Sequence, residues 1–376
     1  MEFAPWVSDL RACPFGPERR FYPLGAMRPD THQERWRRVL KYEGERGQVE
    51  MIEHHSDLLA GNPWADSPQR QVAVWTPPGY SDQKTEYPVV FYLAAFTSSG
   101  LKATNWDGFT ENLPERLDRL VGTGQMEPAI VVMPDAFIQL GGNQYIDSPA
   151  VGPWASYLTQ ELVPWVDDKF RTLADRNHRG LFGFSSGGYG ALVHGMMHSD
   201  VWGGVACHSG DLYFKYACLP DFPQAIDTLR RFNGDPDKFL NRLKGKVKYR
   251  GSDIMTLMTL ALCAFYDPCE EDPRKLQLPF ETETGELIEE RWQRWLSWDP
   301  VEMVASHVSA LKSLRYLYLD CGFRDQYRLH HGARIMSSRL KDHEIAHHYE
   351  EFDDDHSSIQ YRYDHSLPAL VKSLLP

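Results

Sequence analysis

The chain has 376 residues, of which 42% are hydrophobic, 24% charged and 12% aromatic, which excludes a fibrous or disordered polymer and suits one enlarged α/β domain. Its 40 Lys and Arg against 52 Asp and Glu leave a net charge of −12, which argues against a nucleic-acid binder with a basic face. No apolar run approaches the roughly 18 residues of a membrane span, no secretory signal opens the chain and the six cysteines lack CxxC spacing, so a soluble cytoplasmic protein with reduced thiols is expected.

Residues 1–46 read as an N-terminal arm, rich in arginine and tryptophan around Arg35-Trp36-Arg37-Arg38, with room for one short helix and for packing against a second copy of the chain. Alternation marks strands at 48–53 and 71–75, and Pro77-Pro78-Gly79-Tyr80 marks a turn. The β-branched apolar runs at 88–96 and 128–133 have the composition of buried parallel strands. Helical spacing covers 111–121, and a longer helix is predicted over 154–170, with Leu158, Leu162, Trp165 and Val166 on one face. A strand at 179–183, a helix at 188–198 and a strand at 205–210 follow.

From 216 to 298 the rhythm breaks into helical pieces at 224–232, 254–265 and 288–296, separated by Pro- and acid-rich turns. This is the pattern of an insertion lying over a sheet. The rhythm resumes with a strand at 314–319, a helix at 327–340, a strand at 345–352 and a last helix at 359–375. Strands alternating with helices predict an α/β fold with a mainly parallel sheet covered on both faces, carried by residues 47–376.

Chemistry enters at Gly183-Phe184-Ser185-Ser186-Gly187, a G-x-S-x-G between a predicted strand and a predicted helix. A turn this tight needs small residues on both sides, and it lifts Ser185 above the sheet near the positive end of the next helix. A serine hydroxyl is a poor nucleophile at neutral pH and needs a base oriented by a carboxylate. Two acidic stretches, Asp320 to Asp325 and Asp353 to Asp355, follow the last two predicted strands, and the second runs into His356. Both lie at the carboxyl edge that carries Ser185, and Asp353 to Asp355 read as a solvated loop. Asp325 is the candidate acid and His356 the candidate base, while Asp320, at the strand end, is expected to tie down the following turn. The backbone N–H groups of Ser186 and of Phe96, in the small-residue loop Leu93-Ala94-Ala95-Phe96-Thr97-Ser98-Ser99-Gly100, are candidates for an oxyanion hole.

These residues resemble the putative-esterase branch of the α/β-hydrolases, which includes esterase D (S-formylglutathione hydrolase), enterochelin-esterase-like enzymes and bacterial mycolyltransferases. The likeness rests on Val74-Trp-Thr-Pro-Pro-Gly-Tyr80, Tyr92-Leu-Ala-Ala-Phe96, Gly183-Phe-Ser-Ser-Gly-Gly-Tyr-Gly-Ala-Leu192, Asp320-Cys-Gly-Phe-Arg-Asp-Gln-Tyr327 and Asp355-His-Ser357. It implies an α/β-hydrolase fold and a serine esterase with Ser185, Asp325 and His356 as its triad and Phe96 and Ser186 as its oxyanion amides. A small-molecule ester is then the partner, with no metal, no cofactor and no membrane involved. Acyl transfer or thioester cleavage on the same triad, or a non-catalytic binding protein on the same fold, are the alternatives.

One rival motif is present. His343-Glu344-Ile345-Ala346-His347 matches H-E-x-x-H, which binds zinc when both histidines share a helix face. The stretch leads into the last predicted strand, and on a strand the two imidazoles stand about 13 Å apart. That is too far to share one zinc at about 2 Å each. A coincidental match is expected.

Overall fold

The computed structural model describes residues 41–376, so the short helix expected within the arm lies outside the described residues. Eight strands build the main sheet: β1 Gln48–His55, β2 Gln69–Thr76, β3 Val89–Leu93, β4 Ile130–Pro134, β5 Arg179–Phe184, β6 Gly204–His208, β7 Tyr316–Gly322 and β8 His348–Phe352. Their order in space is β1-β2-β4-β3-β5-β6-β7-β8. Strand β2 is antiparallel to both of its neighbours, and every other pair is parallel.

Strands β3 and β4 are buried along their whole length, as parallel strands covered on both faces must be. The period of two sends successive residues to opposite layers: Leu181 of β5 joins one apolar core and Phe182 the other. The edge strand β1 instead leaves Val49 and Met51 exposed. After β3 the chain steps outward to β4 and then returns to place β5 on the opposite side of β3. The carboxyl ends of β3 and β5 thus meet at a reversal of strand order, with Leu93 paired to Gly183. Such a reversal opens a crevice at the sheet edge.

Helices fill the connections. The first, α1 Leu113–Gly122, starts with a reciprocal cap in which Asn112 and Glu115 each bond the other's backbone N–H. The helix expected over 154–170 is not uniform. It is α-wound at Trp154–Ser156, π-wound at Tyr157–Leu162 and α-wound again in α2 Val163–Lys169. Pro164 lies just past the π stretch and has no N–H to give to the Gln160 carbonyl. Helix α3 Ser186–Met197 starts two residues earlier than the sequence pattern suggested, because the turn at Ser185 runs straight into it.

Between β6 and β7 the chain adds no strand to the main sheet. It forms α4 Phe222–Arg230, α5 Pro236–Lys244, α6 Gly251–Tyr266 and α7 Glu289–Leu296. Helix α5 was not anticipated, although its start signals are ordinary: Asp235 accepts the Lys238 N–H and Pro236 opens the first turn. The aromatic residues here form a core of their own. Trp292 and Trp295 of α7 meet Phe222 of α4 edge to face, with ring centroids 5.7 and 5.4 Å apart. The chain closes with α8 Leu329–Asp342 and α9 Tyr363–Ser373. Among the described residues, no helix is long and apolar enough to cross a membrane.

Candidate active site

Ser185 sits between β5 and α3 with φ 57° and ψ −123°, a conformation that a residue with a side chain adopts only under strain. Its N–H donates to the His208 carbonyl at 2.9 Å, which anchors the turn to β6. The flanking glycines are required by contact. A Cβ on Gly187 would lie 1.9 Å from the Leu93 carbonyl oxygen, and one on Gly183 would lie 2.3 Å from the Gly187 carbonyl oxygen. Ser186 is the first residue of α3, where a backbone N–H has no partner within the helix.

Asp325 lies in the turn between β7 and α8. Its Oδ2 is 2.7 Å from His356 Nδ1, and its Oδ1 accepts the Tyr327 N–H at 2.8 Å. The Cys321 thiol stands 3.7 Å from the same Oδ2. His356 follows β8. Its backbone N–H donates to Gln326 Oε1 at 3.0 Å, and its ring lies over Phe184 with centroids 4.5 Å apart and meets the edge of Tyr327 at 4.9 Å. Phe184 immediately precedes Ser185, so the imidazole rests on the turn that carries the serine. Asp325 and His356 are 3% and 9% exposed, so water screens their contact little.

The loop after β3 turns sharply at Thr97, with φ 64°. Thr97 N–H donates to the Gly141 carbonyl at 2.8 Å and Ser98 N–H to the Ala95 carbonyl at 3.1 Å. Phe96 stands half-buried between them. Leu93 at the end of β3 pairs with Gly183, so this loop and the serine turn leave adjacent strands at the same edge.

Two carboxylates behave differently from the sequence reading. Asp320 does not tie down the turn that follows it. It is buried in a separate network, with Oδ1 2.8 Å from His208 Nδ1 and Oδ2 accepting from Arg362 Nε and the Tyr318 hydroxyl, each at 2.9 Å. The second is Asp211, which the sequence reading did not single out. It accepts the Ser186 hydroxyl at 2.9 Å, and burial pushes its carboxyl up to about 6 despite that bond and the nearby His356. The available signal was position: Asp211 stands three residues beyond β6, at the same edge as Ser185.

The H-E-x-x-H stretch is neither a helix nor the strand expected for it. Helix α8 ends at Asp342, His343 is its C-cap and Glu344 has φ 55°, so β8 begins only at His348. The two nitrogens of His347 face the Ser337 hydroxyl at 2.9 Å and the Ile345 carbonyl at 2.8 Å. Among the described residues, no three His, Cys, Asp or Glu side chains group as a metal site. The described free cysteines, Cys207, Cys218, Cys263, Cys269 and Cys321, are all buried.

The family model described as putative esterase matches residues 67–374. An esterase of Mycobacterium tuberculosis is 31% identical over 144 residues, covering 37% of this chain and 28% of that protein, so the match spans less than a third of the relative. A ferulic acid esterase superposes with a TM-score of 0.57 at 18% identity, covering 88% of this chain and all of its own. The S-formylglutathione hydrolase of Agrobacterium tumefaciens gives 0.54 at 17% identity, covering 90% and 99%. A fluorophosphonate-binding serine hydrolase of Staphylococcus aureus gives 0.53 at 13% identity, covering 88% and 100%. At such identities these structures speak for the fold alone, an α/β-hydrolase. The chain belongs to the putative esterase family and has the α/β-hydrolase fold.

Proposed function

We propose that the protein cleaves a carboxylic ester of a small molecule in two steps, through an acyl-enzyme on Ser185. The observation that carries this reading is the 2.7 Å contact between Asp325 and His356, made by an imidazole that rests on the residue before Ser185. His356 takes the Ser185 proton as the hydroxyl oxygen bonds to the ester carbonyl carbon, and it returns that proton to the leaving alcohol as the ester C–O bond breaks. Water then repeats the sequence on the acyl-enzyme and releases the acid. Asp325 keeps a proton on Nδ1 and stabilises the imidazolium that forms in each step. The backbone N–H groups of Ser186 and Phe96 take the oxyanion, where one such donor is worth about 3–4 kcal/mol.

The test is a fluorophosphonate together with Ser185→Ala. The wild-type chain is expected to be labelled at Ser185 and to lose ester turnover as labelling proceeds. Ser185→Ala is expected to resist labelling and to lose about 10⁴–10⁶ in kcat while keeping its fold. A folded Ser185→Ala protein that turns over esters at more than a few per cent of the wild-type rate would remove the serine from the mechanism.

A further inference from the structure

The segment 141–145 touches both halves of the assigned oxyanion hole. On the Phe96 side, the Gly141 carbonyl accepts the Thr97 N–H at 2.8 Å. Gly142 lies so close that a Cβ there would fall 2.9 Å from Phe96 Cα and 2.2 Å from Phe96 Cδ2. The Tyr145 hydroxyl donates to the Ala94 carbonyl at 2.7 Å. On the Ser186 side, Gln144 Nε2 donates to the Ser186 hydroxyl at 3.1 Å, and that hydroxyl in turn donates to Asp211 at 2.9 Å. With one bond given and one received, the Ser186 side chain has no freedom to rotate.

The segment is itself held. Tyr145 adopts φ 61°, and its carbonyl accepts His194 Nε2 of α3 at 2.7 Å. His194 Nδ1 accepts the Trp202 indole N–H at 3.1 Å, which sets the tautomer that leaves Nε2 as the donor. Gln144 Oε1 takes the Tyr266 hydroxyl of α6 at 3.2 Å. Each of these groups is buried.

An oxyanion hole works only if its donors stand about 2.7–3.1 Å from where the charge develops. Phe96 lies in an irregular turn and Ser186 opens a helix, so neither N–H is fixed by a hydrogen bond within a strand or helix. We infer that the segment 141–145 sets the spacing of the two donors, with Gln144 and Tyr145 as positioning residues that act through Ser186 and Ala94. The inference rests on the assignment of the Ser186 and Phe96 amides to the oxyanion. It adds residues that touch no reacting atom. A shift of about 1 Å in a positioned group can cost about 10² in rate, so isosteric changes here reach the chemistry without touching the triad.

The experiment uses the 376-residue chain, a p-nitrophenyl ester and a trifluoromethyl ketone that adds to the serine as a tetrahedral oxyanion. Tyr145→Phe and Gln144→Met are each expected to lower kcat by about 10- to 100-fold with little change in KM, and to weaken the ketone by a similar factor. Ser186→Ala removes the handle but keeps the amide, so it should match Gln144→Met, and combining the two should cost nothing more. Tyr145→Phe deletes a single oxygen, so it decides the matter if Gln144→Met does not fold. Folded Tyr145→Phe and Gln144→Met proteins with wild-type kcat and ketone affinity, and only a lower Tm, would reduce the segment to packing. Ser185→Ala in the same series separates the two failures: turnover surviving that change sinks the triad, whereas turnover lost there but untouched by the segment variants sinks only the spacing role.

Discussion

His208 Nδ1 lies 2.8 Å from Asp320 Oδ1, and its Nε2 lies 2.8 Å from the Ser366 hydroxyl. The three form a serine–histidine–aspartate chain, but all are at most 1% exposed, so no substrate reaches them. Its place is structural: the His208 carbonyl holds the Ser185 N–H, and the Asp320 carbonyl holds the Ser209 N–H. The two aspartates near β7 thus serve different histidines, and their substitutions should be separable.

Asp325→Asn is expected to lower kcat by about 10⁴ through the wrong His356 tautomer, with little change in stability. Asp320→Asn is expected to leave kcat of the folded fraction near the wild-type value. It removes a carboxylate partner from the buried Arg362 guanidinium and should cost up to about 3–5 kcal/mol in denaturant unfolding. Steady-state kinetics and unfolding curves on both variants check the pair, and a reversed pattern would move the acid to Asp320.

Chelators should not inhibit. His347 has both nitrogens engaged by Ser337 and Ile345, and His343 caps a helix end. EDTA and phenanthroline are expected to leave ester turnover unchanged, and His343→Ala should do the same. Activity that falls with phenanthroline and returns with zinc would restore the H-E-x-x-H stretch as a metal site.

Asp211→Asn should alter stability in a pH-dependent way. Burial raises this carboxyl from 3.8 to about 6, so the folded chain ionises it less readily than the unfolded chain does. The resulting penalty is absent at pH values below both, grows between about pH 4 and 6, and is complete above that range. Removing it should stabilise the protein by about 1–3 kcal/mol at pH 8 and by little at pH 4, because the amide oxygen still accepts the Ser186 hydroxyl. Unfolding curves at the two pH values check this, and an equal effect at both would place the cause outside Asp211 ionisation.

Leu257 should govern selectivity. This half-buried residue of α6 reaches Gly141: a Cβ there would lie 2.8 Å from Leu257 Cδ2 and 3.2 Å from Phe96 Cζ. Leu260, one turn on, is fully buried in the core. Leu257→Ala is expected to change the ratio of kcat/KM for short and long acyl esters by about 10-fold. Leu260→Ala should cost about 2–5 kcal/mol in stability and act alike on all esters. Parallel changes in kcat/KM for both variants would assign α6 to structure alone.

Much of this protein is decided within a few residues and is therefore legible in the sequence. Uniformly apolar runs such as Val89–Leu93 have the composition of parallel strands covered on both faces, and Gly183 and Gly187 flank Ser185 because a Cβ at either would strike backbone. Ser185, Asp325 and His356 could be named as candidates because each follows a strand on the same edge. Where local signals conflicted, the reading was incomplete: the helix over 154–170 is partly π-wound just before Pro164, and Pro236 opened a helix in what read as a turn. Only the tertiary structure decided which aspartate meets which histidine, since Asp325 and His356 are 31 residues apart and Asp320 and His208 112. The same holds for Asp211 and Gln144, 25 and 42 residues from the Ser186 hydroxyl they hold. Strand and turn signals follow from local backbone sterics. A partner drawn from a distant loop is chosen by the packing that buries both groups, where each polar atom must find a hydrogen bond or leave its desolvation uncompensated.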